Sequence, residues 1–235
     1  MKQITEGAQT VWLDPELLVE NPWQSFDPEH WRQQGRIIGS AQGRGTTWFV
    51  QLETLQVALR HYRRGGLFGK LVSDHYLFTG IKNSRSYQEF VLLQWLAAND
   101  VAVPKPVAAR VIRSGVTYTA DLISEKIPNA RDLVSLLRDR TLPDSVFHLI
   151  GREIRKMHNA QVNHTDLNIH NILVDDQQKV WLIDFDKCRK QSGEQWKSQN
   201  LSRLERSFRK EMAKHPLHFE LDQLEVIQQS YQEIS

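Results

Sequence analysis

Two short apolar runs in the second half of the chain flank a polar turn. Residues 172–174 and 180–183 are apolar, and aspartate and glutamine dominate the segment between them. This pattern predicts a β-hairpin. Asn171 precedes the first strand and Asp184 follows the second. The hairpin is therefore expected to bring their side chains together at its open end, with Asp166 one loop upstream.

Similar patterns predict the other main elements. β-Rich segments joined by glycine turns predict strands over residues 36–41, 46–52, 108–113 and 117–127. Apolar residues at helical spacing predict helices over residues 83–98, 130–139 and 144–160, followed by an amphipathic helix that carries Leu201, Leu204 and Phe208. Helices and strands together indicate a mixed α and β protein.

Three sequence signals predict where helices begin. Asp14-Pro15 and Asp27-Pro28 place proline in a first helical turn, so we expect short helices within residues 1–35. Ser86 stands three residues before Glu89, which is the spacing of a capping box. Ser86 is therefore the predicted N-cap of the helix over residues 83–98.

Composition limits the classes of protein that fit. The chain has 235 residues, 40% of them hydrophobic and 25% charged, with a net charge of +2. This length suits one large domain or two closely associated lobes. The single cysteine, Cys188, excludes an intrachain disulfide. We expect no signal peptide and no transmembrane segment, and the charge balance predicts neither a nucleic acid nor an obligate protein partner.

The polar residues around the predicted hairpin suit phosphoryl transfer. Asn171 and Asp184 offer the oxygen ligands that Mg²⁺ prefers, and Asp166 is suited to orient a hydroxyl group and accept its proton. The spacing His164-x-Asp166-x-x-x-x-Asn171, followed by two strands and Asp184-Phe185, is the signature of the protein-kinase-like fold. In that signature His164 fixes the loop and takes no part in the chemistry.

The resemblance to protein kinases implies an α+β, bilobal fold. We expect an N-terminal lobe over residues 1–126, with an antiparallel β-sheet and one main helix. A mainly helical C-terminal lobe over residues 127–235 carries the catalytic hairpin. Glu125 and Ile127 then match the hinge, where backbone groups hold the adenine of ATP.

Three further features match the kinase phosphate site. Gly39, Gly43 and Gly45 lie in a hairpin that would cover the nucleotide phosphates, although their spacing departs from the kinase motif. Arg60 stands where kinases have a lysine, and Glu89 is its expected partner. Lys70 and Lys82 are the alternatives to Arg60.

The densest run of basic residues surrounds Arg60 and is interpreted as a single basic patch. It comprises Arg60, His61, Arg63 and Arg64. Arg63 and Arg64 are candidates for binding an anionic acceptor, because arginine pairs bidentately with carboxylate and phosphate. A second basic series, Arg203, Arg206, Arg209 and Lys210, lies on or near the other face of the amphipathic helix that carries Leu204. It is expected to be a solvated face, with contact to an anionic membrane surface as the alternative.

The chain departs from protein kinases after Asp184. Asp186 replaces the usual glycine, and fewer than fifty residues remain, without the segment that docks peptides. With residues 43–50, 59–66, 164–171 and 183–186, the chain resembles the lipopolysaccharide kinases of Gram-negative bacteria. It resembles in particular those that act on 3-deoxy-D-manno-octulosonic acid (Kdo).

The resemblance implies a reaction and a location. The expected reaction is ATP-dependent phosphorylation, with Mg²⁺, of the Kdo sugar on the lipid A precursor at its 4-hydroxyl. The expected location is the cytoplasmic face of the inner membrane, as a peripheral protein with a lipid-anchored acceptor. Another small-molecule kinase of this fold and a non-catalytic nucleotide-binding module are the alternatives.

Overall fold

The computed structural model describes residues 1–43, 45–63 and 74–233. The chain divides into two compact units. The first comprises Met1–Val91 and Lys105–Lys126, and the second comprises Leu92–Pro104 and Ile127–Ser235. The division into lobes at residue 126 stays a prediction.

An antiparallel sheet forms the first unit. Its strands are β1 (Lys2–Glu6), β2 (Gln9–Leu13), β3 (Ile37–Gln42), β4 (Thr46–Gln51), β5 (Gln56–His61), β6 (Tyr76–Leu77), β7 (Pro106–Ser114) and β8 (Thr117–Glu125). The spatial order is β1-β2-β7-β8-β5-β4-β3, and β6 pairs with β8. The strands predicted over residues 36–41, 46–52, 108–113 and 117–127 are confirmed, with small changes at their ends.

Of the two short helices predicted within residues 1–35, the one expected to begin at Asp14 was wrong. Strands β1 and β2 form a hairpin there, and Gly7 at its turn has a left-handed φ of 56°. Strand β2 also pairs with β7, which buries Val11, Trp12 and Leu13. No helix begins at Asp14. The predicted start at Asp27 is confirmed, because the Asp27 side chain caps helix α1 (Pro28–Gln33).

The two faces of the sheet are covered by different parts of the chain. On one face Val50, Val57, Leu59 and Ile123 pack with Phe26, Trp31 and other residues of the leading segment. The side chains of Arg60 and Tyr62 project from the other face and reach Glu89 of helix α2 (Arg85–Ala98). Successive residues of β5 therefore serve opposite faces of the sheet.

Helix α2 begins two residues earlier than a capping box at Ser86 requires. Because Arg85 is already helical, Ser86 lies inside the helix, and its hydroxyl donates to the backbone carbonyl of Arg110 at 3.0 Å. The prediction of Ser86 as the N-cap was wrong. Glu89 is consequently not held by a capping interaction with Ser86, and its carboxylate accepts hydrogen bonds from Arg60 and Tyr62.

Helices dominate the second unit. They are α3 (Leu133–Asp139), α4 (Asp144–Asn159), α5 (Gln195–Lys214) and α6 (Asp222–Glu233). Short strands accompany them: β9 (Arg131–Asp132), β10 (Val162–Asn163), β11 (Ile172–Val174), β12 (Val180–Leu182) and β13 (Arg189–Lys190). The helices predicted over residues 130–139 and 144–160 are confirmed apart from their ends, whereas α6 was not predicted.

Helices α4 and α6 pack in direct backbone contact. A Cβ atom added at Gly151 would lie 2.0 Å from Ser230 Oγ and 2.3 Å from the carbonyl oxygen of Ile227. Only glycine permits this approach. Across the described residues, the α+β class predicted from the sequence is confirmed, and no helix there is long and apolar enough to cross a membrane.

Candidate active site

The predicted hairpin is confirmed. Strands β11 and β12 pair antiparallel, with Ile172 opposite Leu182 and Val174 opposite Val180. The pairing extends beyond the strands, because the backbone N–H of Ile183 donates to the carbonyl of Asn171 at 3.0 Å. Asn171 therefore lies beside the residue that precedes Asp184. The hairpin brings the two expected metal ligands to the same end, as the sequence predicts.

His164 is buried at the start of the loop that leads to Asn171. Its Nε2 donates to the carbonyl of Ile183 at 3.0 Å, and its Nδ1 accepts from the backbone N–H of Asp166 at 3.3 Å. The ring packs against Phe185 with the centroids 4.8 Å apart. Burial lowers the pKa of His164, so the imidazole is neutral at pH 7. These contacts join the loop to the hairpin.

The side chain of Asn171 binds the backbone of Asp166. Asn171 Nδ2 donates to the carbonyl oxygen of Asp166 at 2.9 Å. This bond occupies Nδ2, so Oδ1 is the atom of Asn171 that could serve as a metal ligand. The side chain of Asp166 is 55% exposed, and Nη1 of Arg203 lies 3.9 Å from its Oδ1. A carboxylate presented in this way suits a group that accepts a proton from an incoming hydroxyl.

Asp184 has an uncommon backbone conformation. Its φ is 61°, in the left-handed region that aspartate, asparagine and glycine tolerate better than other residues. Strained backbone of this kind is concentrated at functional sites. Among the residues that the structure describes, no group of three or more histidine, cysteine or acidic side chains could hold a metal. Asn171 and Asp184 fit Mg²⁺ instead, which commonly binds to one or two protein groups together with phosphate oxygens and water.

Helix α5 holds the loop in place from its buried face. Asn200 accepts from the backbone N–H of His164 at 3.1 Å and donates to Asn163 Oδ1 at 2.8 Å. Ser207 Oγ accepts from the backbone N–H of Ile169 at 3.0 Å. We did not predict these anchors. Their spacing of seven residues places them on one helix face, but the sequence gives no indication of which loop they meet.

A buried histidine joins this anchor to helix α6. His158 Nε2 lies 3.3 Å from Asn200 Oδ1, and its Nδ1 lies 2.8 Å from the Tyr231 hydroxyl. Because Asn200 Nδ2 is a donor to Asn163, its Oδ1 accepts from His158. His158 therefore carries its proton on Nε2, and the Tyr231 hydroxyl donates to Nδ1. Burial lowers the pKa of His158 to about 4, with Lys197 and Arg155 contributing.

We expect His158 to make the second unit sensitive to acid. The unfolded chain binds a proton near pH 6.5, whereas the folded protein binds it only near pH 4. Stability is thus fully present above pH 6.5 and falls by roughly 3 kcal/mol as the pH drops to 4. Denaturation with urea between pH 7 and 4.5 measures this slope. His158→Gln should reduce it, and an unchanged slope in that variant would contradict the assignment.

In the first unit, Arg60 and Glu89 form the expected ion pair. Arg60 Nη2 lies 2.5 Å from Glu89 Oε2, and the Tyr62 hydroxyl donates to the same oxygen at 2.5 Å. The side chain of Glu89 is only 4% exposed, whereas that of Arg60 is 28% exposed. Lys82 is exposed, and Lys70 lies outside the described residues. The choice between Arg60 and a lysine at the phosphates stays a prediction in favour of Arg60.

Arg60→Gln should destabilise the protein. The change leaves the buried Glu89 carboxylate without its cationic partner, which should lower the free energy of unfolding by about 2–4 kcal/mol. Urea denaturation measures the loss. Arg60→Gln combined with Glu89→Gln should recover most of it, because the buried charge is then also absent. A double variant no more stable than the single one would show that the cost has another origin.

The basic run around Arg60 does not form one surface. Arg60 reaches Glu89, whereas His61 Nδ1 contacts Asp121 at 2.7 Å on the opposite face. Arg63 is on that opposite face too, where it packs against Gly45 and lines a cavity of about 330 Å³. The interpretation of this run as a single patch was wrong, because side chains alternate along β5. Arg64, the other predicted acceptor residue, lies outside the described residues.

The glycine hairpin and the hinge stay predictions as nucleotide contacts. Gly43 donates its backbone N–H to the carbonyl of Gly45 at 3.0 Å, and Gly39 has a positive φ of 158° beside a bulge in β3. The backbone N–H of Glu125 donates to the carbonyl of Lys105 at 2.8 Å. Ile127 follows the end of β8 and is buried. For adenine, the carbonyl of Glu125 and the N–H of Ile127 are the groups that we would test.

Comparison with known protein families gives a match over most of the chain. The model of the lipopolysaccharide kinase (Kdo/WaaP) family matches residues 28–233. The chain belongs to this family. The matched range of the Kdo/WaaP family model includes the Arg60–Glu89 pair, the loop from His164 and the hairpin that ends at Asp184. The fold is accordingly kinase-like, as the sequence motifs predict.

Individual members of the Kdo/WaaP family are similar to this chain over almost its whole length. A 3-deoxy-D-manno-octulosonic acid kinase of Vibrio cholerae is 59% identical over 97% of both chains. The protein of that name from Photobacterium profundum is 58% identical over 99% of this chain and 98% of its own. A Haemophilus influenzae 3-deoxy-D-manno-octulosonic acid kinase is 48% identical over 93% and 94%, respectively.

Proposed function

We propose that this protein is a Kdo kinase, which transfers the γ-phosphoryl group of ATP to the 4-hydroxyl of Kdo on the lipid A precursor. The observation that carries the proposal is the 48–59% identity, over nearly the whole chain, to relatives named as kinases of this sugar. The arrangement around Asp166 supports a transfer to a hydroxyl group. Another kinase of the same fold would need a different acceptor, and no contact among the described residues favours one.

Asp166 is the proposed proton acceptor. Its carboxylate would hold the sugar hydroxyl in line with the γ-phosphorus and take the proton as the new O–P bond forms. The loop keeps it in position through its backbone, because the N–H of Asp166 donates to His164 and its carbonyl accepts from Asn171. The main chain of Asp166 is thereby fixed, and its side chain would be available to contact the hydroxyl group of the acceptor.

Asn171 and Asp184 are the proposed ligands of Mg²⁺. When bound, the ion would offset negative charge on the phosphate oxygens. The hydrogen bond of 2.9 Å from Asn171 Nδ2 to the backbone carbonyl of Asp166 then connects the metal ligand directly to the residue that accepts the proton. For nucleotide phosphates we propose Arg60, oriented by Glu89, and the backbone of the hairpin with Gly39, Gly43 and Gly45. Glu125 and Ile127 are proposed to hold the adenine.

The proposed location is the cytoplasmic face of the bacterial inner membrane, as a peripheral protein. Two arguments support it: the acceptor is anchored in lipid, and ATP is a cytoplasmic nucleotide. Exposed basic residues of α5 suit a surface of anionic lipid. Sedimentation with vesicles of neutral and of anionic lipid, at low and high salt, tests this part independently of activity.

The central experiment incubates the purified protein with Mg²⁺, γ-labelled ATP and lipid A precursor that carries Kdo. The same precursor without Kdo is the matched control. We expect label only on the Kdo-bearing lipid. Fragmentation of the labelled lipid in a mass spectrometer should locate the new phosphate at the 4-hydroxyl of Kdo. Label on the precursor that lacks Kdo would exclude the sugar as the acceptor. Label on neither would overturn the proposed reaction.

A further inference from the structure

One face of helix α5 contacts the catalytic loop, residues 164–171, through three side chains in successive turns of the helix. Asn200 binds the backbone of His164, Arg203 approaches the side chain of Asp166, and Ser207 binds the backbone of Ile169. Two of these contacts fix the main chain of the loop. The third brings a cation next to the proposed proton acceptor, where the loop itself, residues 164–171, has no lysine or arginine.

The contact between Arg203 and Asp166 is too weak to be structural. The two side chains are 48% and 55% exposed, and their closest nitrogen and oxygen atoms are 3.9 Å apart. An exposed pair of this kind contributes little to the stability of the fold. The guanidinium has five donors in a plane, and 3.9 Å is longer than a hydrogen bond, so the contact with Asp166 occupies none of them. Arg203 is therefore positioned for an additional anionic partner that binds close to Asp166.

The acceptor in the proposed function supplies such an anion. Kdo is a sugar acid, and its carboxylate is ionised at neutral pH. A hydroxyl group of that sugar must approach the Asp166 carboxylate, so two negative groups come close together. A cation between them would offset the repulsion, and a guanidinium also binds a carboxylate through two parallel hydrogen bonds.

We propose that Arg203 binds the carboxylate of the sugar acid and thereby selects an acidic sugar as the acceptor. The inference rests on the proposed function and adds to it a residue that recognises the acceptor. Arg203 positions the sugar so that its hydroxyl group faces Asp166. Arg60 and Arg63, in the first unit, are not required for this recognition.

The test compares two acceptors and four proteins. The acceptors are the Kdo-bearing lipid precursor and the same compound with the sugar carboxylate converted to its methyl ester. The proteins are the wild type, Arg203→Gln, Arg203→Lys and Arg32→Gln. Arg32 is a matched control, because it is also a half-exposed arginine on a helix that pairs with a carboxylate, Glu29, but it lies on α1 in the first unit. The readouts are kcat and KM for each acceptor and KM for ATP.

Loss of one charged pair should lower kcat/KM by about 10- to 100-fold. We expect this loss for the wild type with the ester and for Arg203→Gln with the acid. With the ester, Arg203→Gln should match the wild type. Arg203→Lys should recover part of the activity on the acid, and Arg32→Gln should behave as the wild type on both. The KM for ATP should change little in any variant.

Several results would overturn the inference. Equal losses on acid and ester in Arg203→Gln would show that the arginine acts on Asp166 or on the nucleotide, and a raised KM for ATP would favour the nucleotide. A wild type that does not distinguish the two acceptors would show that the carboxylate is not recognised. If the wild type phosphorylates neither acceptor, the proposed function fails, and the inference fails with it.

Discussion

Asp166→Ala should lower kcat by about 10²- to 10⁴-fold, the usual contribution of a general base. The fold should be preserved, because the neighbouring residues bind the backbone of Asp166 and its side chain is 55% exposed. We therefore expect an unchanged melting temperature and near-normal binding of nucleotide by thermal shift. Single-turnover assays with saturating ATP measure the chemical step directly.

Asp139→Ala provides the matched control for this loss. Asp139 is 60% exposed and pairs with Arg131 at 3.0 Å on the surface of the second unit. It therefore loses a carboxylate in a similar environment, but outside the catalytic loop. Its activity should equal that of the wild type. Turnover within about threefold of the wild type in Asp166→Ala would remove Asp166 from the chemistry.

Asp184→Asn should raise the Mg²⁺ concentration needed for half-maximal activity by about 100-fold or more, because a neutral amide replaces a charge beside a divalent cation. Asparagine also tolerates the φ of 61° at this position. The substitution therefore removes the charge without adding backbone strain, which alanine would not achieve. Titration of activity with Mg²⁺ at saturating ATP measures the effect.

Asp176→Asn removes the same charge from the opposite end of the hairpin. Asp176 is exposed in the turn and accepts from Asn129 Nδ2 at 2.8 Å. Its dependence on Mg²⁺ should match that of the wild type. An identical Mg²⁺ requirement in Asp184→Asn and Asp176→Asn would argue against Asp184 as a metal ligand, whatever the activity of either variant.

The parts of the site that were predicted correctly depend on local sequence. The hairpin that carries Asn171 and Asp184 follows from two apolar runs and a polar turn, and antiparallel pairing fixes its geometry. The Arg60–Glu89 pair followed from the match to the kinase motif and is present. For the hairpin a short segment contains the information that decides which residues meet, whereas for the pair the kinase motif supplied it.

The errors occurred where distant segments decide the structure. Strand β2 forms because it pairs with β7, almost one hundred residues later, and the proline signals near Asp14 gave no indication of that pairing. Likewise, the contacts of Asn200 and Arg203 depend on where α5 packs. The division of the basic run is different, since the alternation of β5 was available in the sequence and would have separated Arg60 from Arg63.

The hydrogen bonds from Tyr231 through His158 to Asn200 affect the order in which the protein folds during its synthesis on the ribosome. The catalytic loop emerges well before α5 and α6, yet its backbone is held by a residue whose own hydrogen-bond chain ends on α6. A nascent chain can therefore complete the hairpin while the loop still lacks its anchors. The enzyme should acquire activity late in synthesis, when residue 231 has left the exit tunnel and α6 has docked at Gly151.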